Sequence, residues 1–246
     1  MKKILLTAVA LGALALGSPA LAADLPVKAA APAAPVYDWS GFYVGGFGGY
    51  AFGNQNLNNA LGPNPGFANF TSNWETHGAF GGGEAGYNWQ MGTVLFGIEA
   101  DGAGTNIQGR NNFGLTDVNG AAMDDFNKLK WVASVRARGG IVVDRLLLFF
   151  DGGWAFGDIQ HTNTVLGGAV DTFTNHRSGL AAGGGIAYAI TDNVIGKVEY
   201  RYYDLGTYHR DVPLNTAMPY SVANTYSTVL LGLDFRFAGG AVVAKY

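Results

Sequence analysis

The sequence predicts an all-β fold: an eight-stranded antiparallel up-and-down β-barrel that crosses a membrane, with short periplasmic turns and four long extracellular loops. Three observations predict it. Apolar and polar residues alternate with period two along eight segments, as in strands that show lipid on one face and a lumen on the other. The connections between these segments are alternately very short and long. The composition is glycine-rich, with 38 glycines among 246 residues, and aromatic residues match charged ones at 13% each. Soluble domains carry about 25% charge.

The eight segments lie near 41–52, 78–90, 93–103, 129–141, 146–157, 177–190, 194–205 and 225–237. In the fourth, Leu129, Trp131, Ala133, Val135 and Ala137 form one face. Lys130, Ser134, Arg136 and Arg138 form the other, with Val132 as an exception. A helix would scatter these charges around its circumference, whereas a strand gathers them on one side. In the seventh, Val198, Tyr200 and Tyr202 oppose Lys197, Glu199 and Arg201. The third sets Val94, Phe96, Ile98 and Ala100 against Glu99 and Asp101, and the eighth sets Leu231, Leu233, Phe235 and Phe237 against Asp234 and Arg236. A soluble sandwich would expose a polar outer face. Here that face carries large aromatics that water would penalise.

Short turns fall at Met91-Gly92, Asp144-Arg145 and Thr191-Asp192-Asn193, and long polar linkers at 53–77, 104–128, 158–176 and 206–224. Runs such as Gly81-Gly82-Gly83 and Gly183-Gly184-Gly185 relieve crowding in a tightly coiled sheet. No helix pattern follows the glycines at 46 and 48, so a phosphate-binding loop is excluded.

The ends of the chain read differently. Lys2 and Lys3, the apolar run Ile4 to Leu16 and the triplet Ala20-Leu21-Ala22 have the order of a secretory signal peptide. Residues 1–22 are therefore expected to be removed, with cleavage after Ala23 as the alternative. The run is too short for the ~20 residues of a spanning helix. Residues 23–38 are rich in Ala and Pro and read as an extended lead-in. The barrel is expected over 39–237, and a tail over 238–246. Without its leader the chain has thirteen bases against eighteen acids, a net charge of −5. That balance excludes nucleic acid as a partner, because phosphate binding needs a basic excess. With no cysteine, neither a disulfide framework nor a thiolate metal site is possible.

The stretches YDWSGFYVGG at 37–46, GYNWQMG at 86–92, GIEAD at 97–101, TDNVIGKVEYRYYDLG at 191–206 and LGLDFRF at 231–237 carry a resemblance. The chain is similar to the alphaproteobacterial outer-membrane β-barrel family that includes surface antigens of 25 to 31 kDa. The resemblance implies an outer-membrane location and assembly by the outer-membrane insertion machinery. That machinery recognises a last strand with glycine and aromatics at set spacing, a pattern that Gly232, Phe235 and Phe237 match. Leu230 stands where a polar residue is usual, and nine residues follow Phe237.

Alternation places twelve charges in the lumen: Glu84, Glu99, Asp101, Asp151, Glu199 and Asp234 against Lys130, Arg136, Arg138, Lys197, Arg201 and Arg236. An eight-stranded barrel is just wide enough for side chains to fill. A salt-bridged plug is therefore expected, with an ion path or narrow pore as the alternative. His77, His161, His176 and His209 fall in or beside the long linkers, near Glu75, Asp125, Asp158 and Asp211. They form no compact catalytic or paired-histidine motif. The expected function is a structural surface barrel, not an enzyme, that supports the envelope and presents four loops. A narrow passive channel is the second hypothesis, and haem or metal capture by the loop histidines the third. No cofactor is expected. Expected partners are outer-membrane lipid, lipopolysaccharide and the assembly machinery; association into oligomers stays open.

Overall fold

The computed structural model describes residues 37–59, 70–116, 122–165, 169–210 and 220–237. The expected signal peptide, most of the lead-in and the tail 238–246 lie outside the described residues. Eight strands make up the fold: β1 (Gly41–Asn59), β2 (Phe70–Met91), β3 (Val94–Thr116), β4 (Ala122–Val143), β5 (Leu146–Val165), β6 (Ala169–Ala189), β7 (Val194–Arg210) and β8 (Tyr220–Arg236). Each pairs antiparallel with its sequence neighbours, and β1 pairs with β8 to close the barrel.

The short turns sit at one end. Gly92 (φ 64°) and Asp144 (φ 52°) take the left-handed region there, which glycine adopts freely and Asp tolerates. The third turn is tied by its own side chains: the Thr191 hydroxyl accepts from the Val194 amide at 3.0 Å, and Asp192 meets Arg145 of the neighbouring turn at 2.7 Å.

The strands run 17 to 23 residues, well past the ~10 that cross a bilayer. Much of what reads in sequence as four long loops is thus strand: the β1–β2 ladder continues to Asn59↔Phe70 and the β5–β6 ladder to Val165↔Ala169. The physical reason is local. Far from the turns the inner face carries Gln55, Thr76, Asn127 and Asn224, and the outer face carries Asn54, Asn56, Glu75 and His77. With both faces polar, the period-two signal vanishes while the pairing persists.

On the turn half, the outer face forms an apolar belt that includes Phe96, Ile98, Phe150, Ile186, Val198 and Leu233. Tyr50, Trp131, Phe156 and Tyr202 edge it on the far side, and Trp89, Tyr188 and Phe237 on the turn side. Inside, glycine is required where strands coil closely. A Cβ on Gly49 would lie 2.8 Å from Phe80 Cε1 and 2.9 Å from Leu230 Cα.

Strand β4 departs from strict alternation. Leu129 pairs with Ile159 and Trp131 with Asp158, so two steps on β4 match one on β5 and Lys130 is the extra residue of a bulge. The Thr105 hydroxyl donates to the Leu129 carbonyl at this point. Lys130 and Trp131 consequently both face outward, while Leu129 and Val132 both face the lumen. This corrects two expectations: Lys130 is not a lumen charge, and Leu129 is not on the outer face. Val132 ceases to be an exception.

Val198 is 50% exposed in the middle of the belt. Val198→Arg is expected to cost ~2–4 kcal/mol, lowering the urea midpoint of the refolded barrel; an unchanged midpoint would overturn the assignment of the outer face.

Candidate functional site

Below the bulge, alternation aims one polar side chain after another at the barrel axis. Register then decides which of them meet. Glu99 pairs with Arg136 across β3 and β4, and Arg138 with Asp151 across β4 and β5. Glu84 on β2 stands level with Asp101. Lys197, Glu199 and Arg201 enter from β7, and Asp234 and Arg236 from β8. All eleven are buried. β6 contributes space instead: a Cβ on Gly183 would sit 3.1 Å from both Asp151 Oδ1 and Glu199 Oε1.

Glu99, only 1% exposed, is the hub. It takes Arg136 on one oxygen. On the other it takes Arg138 at 2.6 Å, Lys197 at 3.3 Å and the Tyr43 hydroxyl at 2.7 Å. Arg136 spreads its guanidinium over Glu99, Asp101 at 2.5 Å and Asp151 at 2.9 Å. Arg201 joins Glu199 at 2.6 Å to Asp101 at 3.2 Å and receives further support from the Tyr203 hydroxyl at 2.9 Å. Lys197 holds Glu84 at 2.6 Å. Five acids thus meet four bases. Arg138 also lies 4.3 Å over the Phe149 ring, a cation–π contact that helps offset its desolvation.

Apolar layers cover this charged layer on both sides. Toward the far end lie Phe47, Phe80, Ile107, Leu129, Tyr203 and Leu230. Toward the turns lie Leu95, Val142, Leu147, Phe149 and Ile195, closed off by Tyr37 and Trp39. Trp39, 1% exposed, is held by its amide to Gln90 Oε1 at 2.8 Å and by its indole N–H to the Asp144 carbonyl at 3.1 Å. The Tyr37 hydroxyl donates to the Asp192 carbonyl at 3.2 Å, and Arg236 stacks 4.8 Å from its ring. Sequence reading assigns Tyr37 to an extended lead-in and misses this stopper. The available signal was the pair of aromatics in Tyr37-Asp38-Trp39, immediately after a segment that has none.

Arg236 does not join the central cluster; it binds the Ser40 and Asp192 carbonyls, each at 3.0 Å, at the mouth. Asp234 stands against Gly45 of β1. Gly232 is buried, and a Cβ there would lie 2.9 Å from Lys197 Cε, so this glycine also makes room for a network lysine. Phe235 and Phe237 face outward in edge contact at 5.3 Å, and Phe237 stacks on Phe42 at 5.6 Å.

The histidines do not converge. His77 faces outward against Tyr50, His161 is buried against Phe173, and His176 faces outward bonded to Asp158. The side chain of His209 lies outside the described residues, as do those of Asp125 and Asp211. No group of three or more metal-ligating side chains occurs among the described residues.

A closed sheet with an apolar outer belt and an ion-paired interior defines an integral membrane β-barrel. The family model of the outer membrane protein beta-barrel domain matches residues 8–237. The chain belongs to that family, and its location is the outer membrane. It is 32% identical to the 31 kDa outer-membrane immunogenic protein of Brucella melitensis, over 96% of this chain and 100% of that one. It is 30% identical to the 22 kDa outer membrane protein of Rhizobium leguminosarum, over 84% and 82%. Among solved structures, the outer membrane protein OprG from Pseudomonas aeruginosa matches with a TM-score of 0.48 at 10% identity, over 81% of this chain and 97% of that one.

Arg136→Met leaves Glu99, Asp101 and Asp151 short of their shared cation. It is expected to destabilise the barrel by ~3–5 kcal/mol, seen as a lower urea midpoint in heat-modifiable migration. A midpoint equal to wild type would mean that the cluster contributes nothing net.

Proposed function

We propose that this protein is a structural, non-catalytic barrel of the outer membrane that helps maintain the envelope and carries its far-end connections to the exterior. One observation carries the reading: the charged layer is sealed between two apolar layers. An ion would have to shed its water to pass the apolar layers and then break an intact salt-bridge network, at a cost of several kcal/mol for each charge. The lumen is therefore a packed core, and the bridges serve stability. Its expected partners are lipid, lipopolysaccharide and the assembly machinery that would read Gly232, Phe235 and Phe237. The outward and inward histidines lend no support to haem or metal capture.

The test is single-channel conductance of the refolded barrel in a planar bilayer, with heat-modifiable migration as proof of folding. A silent bilayer is expected, and it should stay silent in Trp39→Ala, because the far-side apolar layer remains. Steady steps that shift on neutralising Arg136 would sink the proposal and favour a narrow channel.

A further inference from the structure

A cavity of about 410 Å³ opens on the outside of the barrel where β2, β3 and β4 meet. The exposed Ala79, Gly81, Gly104, Asn106 and Lys130 line it, together with the buried Phe80 and Thr105. Gly81 pairs with Gly104, and Gly104 with Trp131. The cavity therefore lies at the far aromatic edge of the apolar belt, where headgroups meet acyl chains. Its floor continues into the belt through the paired Gly83 and Gly102. A Cβ on Gly102 or Gly104 would meet nothing within 4 Å. No close approach inside the chain requires glycine at these two positions, unlike Gly49. What glycine produces here is a hollow in the outer face, which the outward Gly48 and Gly46 of β1, paired with Gly81 and Gly83, extend.

Lys130 is the one charged side chain among the residues that line the hollow. The β4 bulge turns Lys130 outward, and Lys128 lies half-buried two residues further from the membrane. Neither has a carboxylate partner among the described residues.

We propose that this is a binding site for a phosphate-bearing glycolipid of the outer leaflet, the lipid A portion of lipopolysaccharide. Lys130 and Lys128 take the phosphate, Asn106 hydrogen-bonds the headgroup, and an acyl chain lies in the hollow over Gly104, Gly81 and Gly102. Charge complementarity selects this occupant. A second copy docked by a two-fold axis would set the same patch against itself, bringing lysines together. The inference rests on the outer-membrane reading and gives its lipid partner a place.

Native mass spectrometry of the full protein purified in detergent tests it, titrating bis-phosphorylated lipid A against the same lipid treated with phosphatase. Wild type should bind the phosphorylated form about tenfold more tightly or better. Lys130→Gln and Lys128→Gln should each weaken that form about fivefold and together about 25-fold, as expected of one cation each near an anionic headgroup. Gly104→Val, which has room to fold, should weaken both forms by filling the hollow. Equal binding of the two lipids, or affinity unmoved by the lysine changes, overturns the site. So does a Gly104→Val variant that binds lipid normally but loses a dimer peak, which would assign the hollow to a second copy. Either failure leaves a silent bilayer silent, so it is distinguishable from failure of the structural reading.

Discussion

Inside a bilayer no water is present to pair a backbone N–H or C=O, and each unpaired group costs several kcal/mol. That constraint decides the architecture. A sheet meets it only by closing on itself, and here closure is the long ladder of β1 against β8, from Tyr43↔Arg236 to Asn59↔Tyr220. Closing at eight strands fixes a lumen only as wide as the side chains that fill it. Every inward position is then a packing problem. Bulky Arg136 and Arg201 are accommodated because β6 offers Ala181, Gly183, Gly185 and Ala187 at the same levels.

The charged layer follows from the same narrowness. Charges taken from water are tolerated only where opposite charges and hydrogen bonds replace it, and Glu99 meets four cations and a phenol at once. Six of the eight strands contribute a charge to the layer. A one-residue slip of any of them would turn its charges toward lipid. The network therefore specifies register as well as filling space, and the apolar layers and the Trp39 stopper keep it dry.

The two faces of the wall divide the labour. The inner face is committed to closure and packing. The outer face must present apolar surface to lipid but is not uniform around its circumference. On β1, β2 and β3 it carries glycine at Gly46, Gly48, Gly81, Gly83, Gly102 and Gly104, beside the Lys130 that the β4 bulge brings outward. Elsewhere Phe150, Trp154 and Leu180 stand out into the membrane.

Sequence alone determined the strand count, the chain direction of each strand, the short-turn end and eleven of the lumen charges. In a bilayer-spanning strand the environment changes sides at every residue, so burial is written directly as alternation. What only the tertiary structure decided is whatever breaks that one-to-one relation. The bulge at Lys130 inserts a residue without changing composition, so alternation carried past it assigns Lys130 and Leu129 to the wrong faces. The strands continue beyond the membrane because cross-strand pairing needs no hydrophobic contrast, and none marks 53–59 or 70–77 in the sequence. Which charges meet depends on partners up to 113 residues apart, as for Lys197 and Glu84. Such distances close only through the register of the whole barrel, and no local pattern records it.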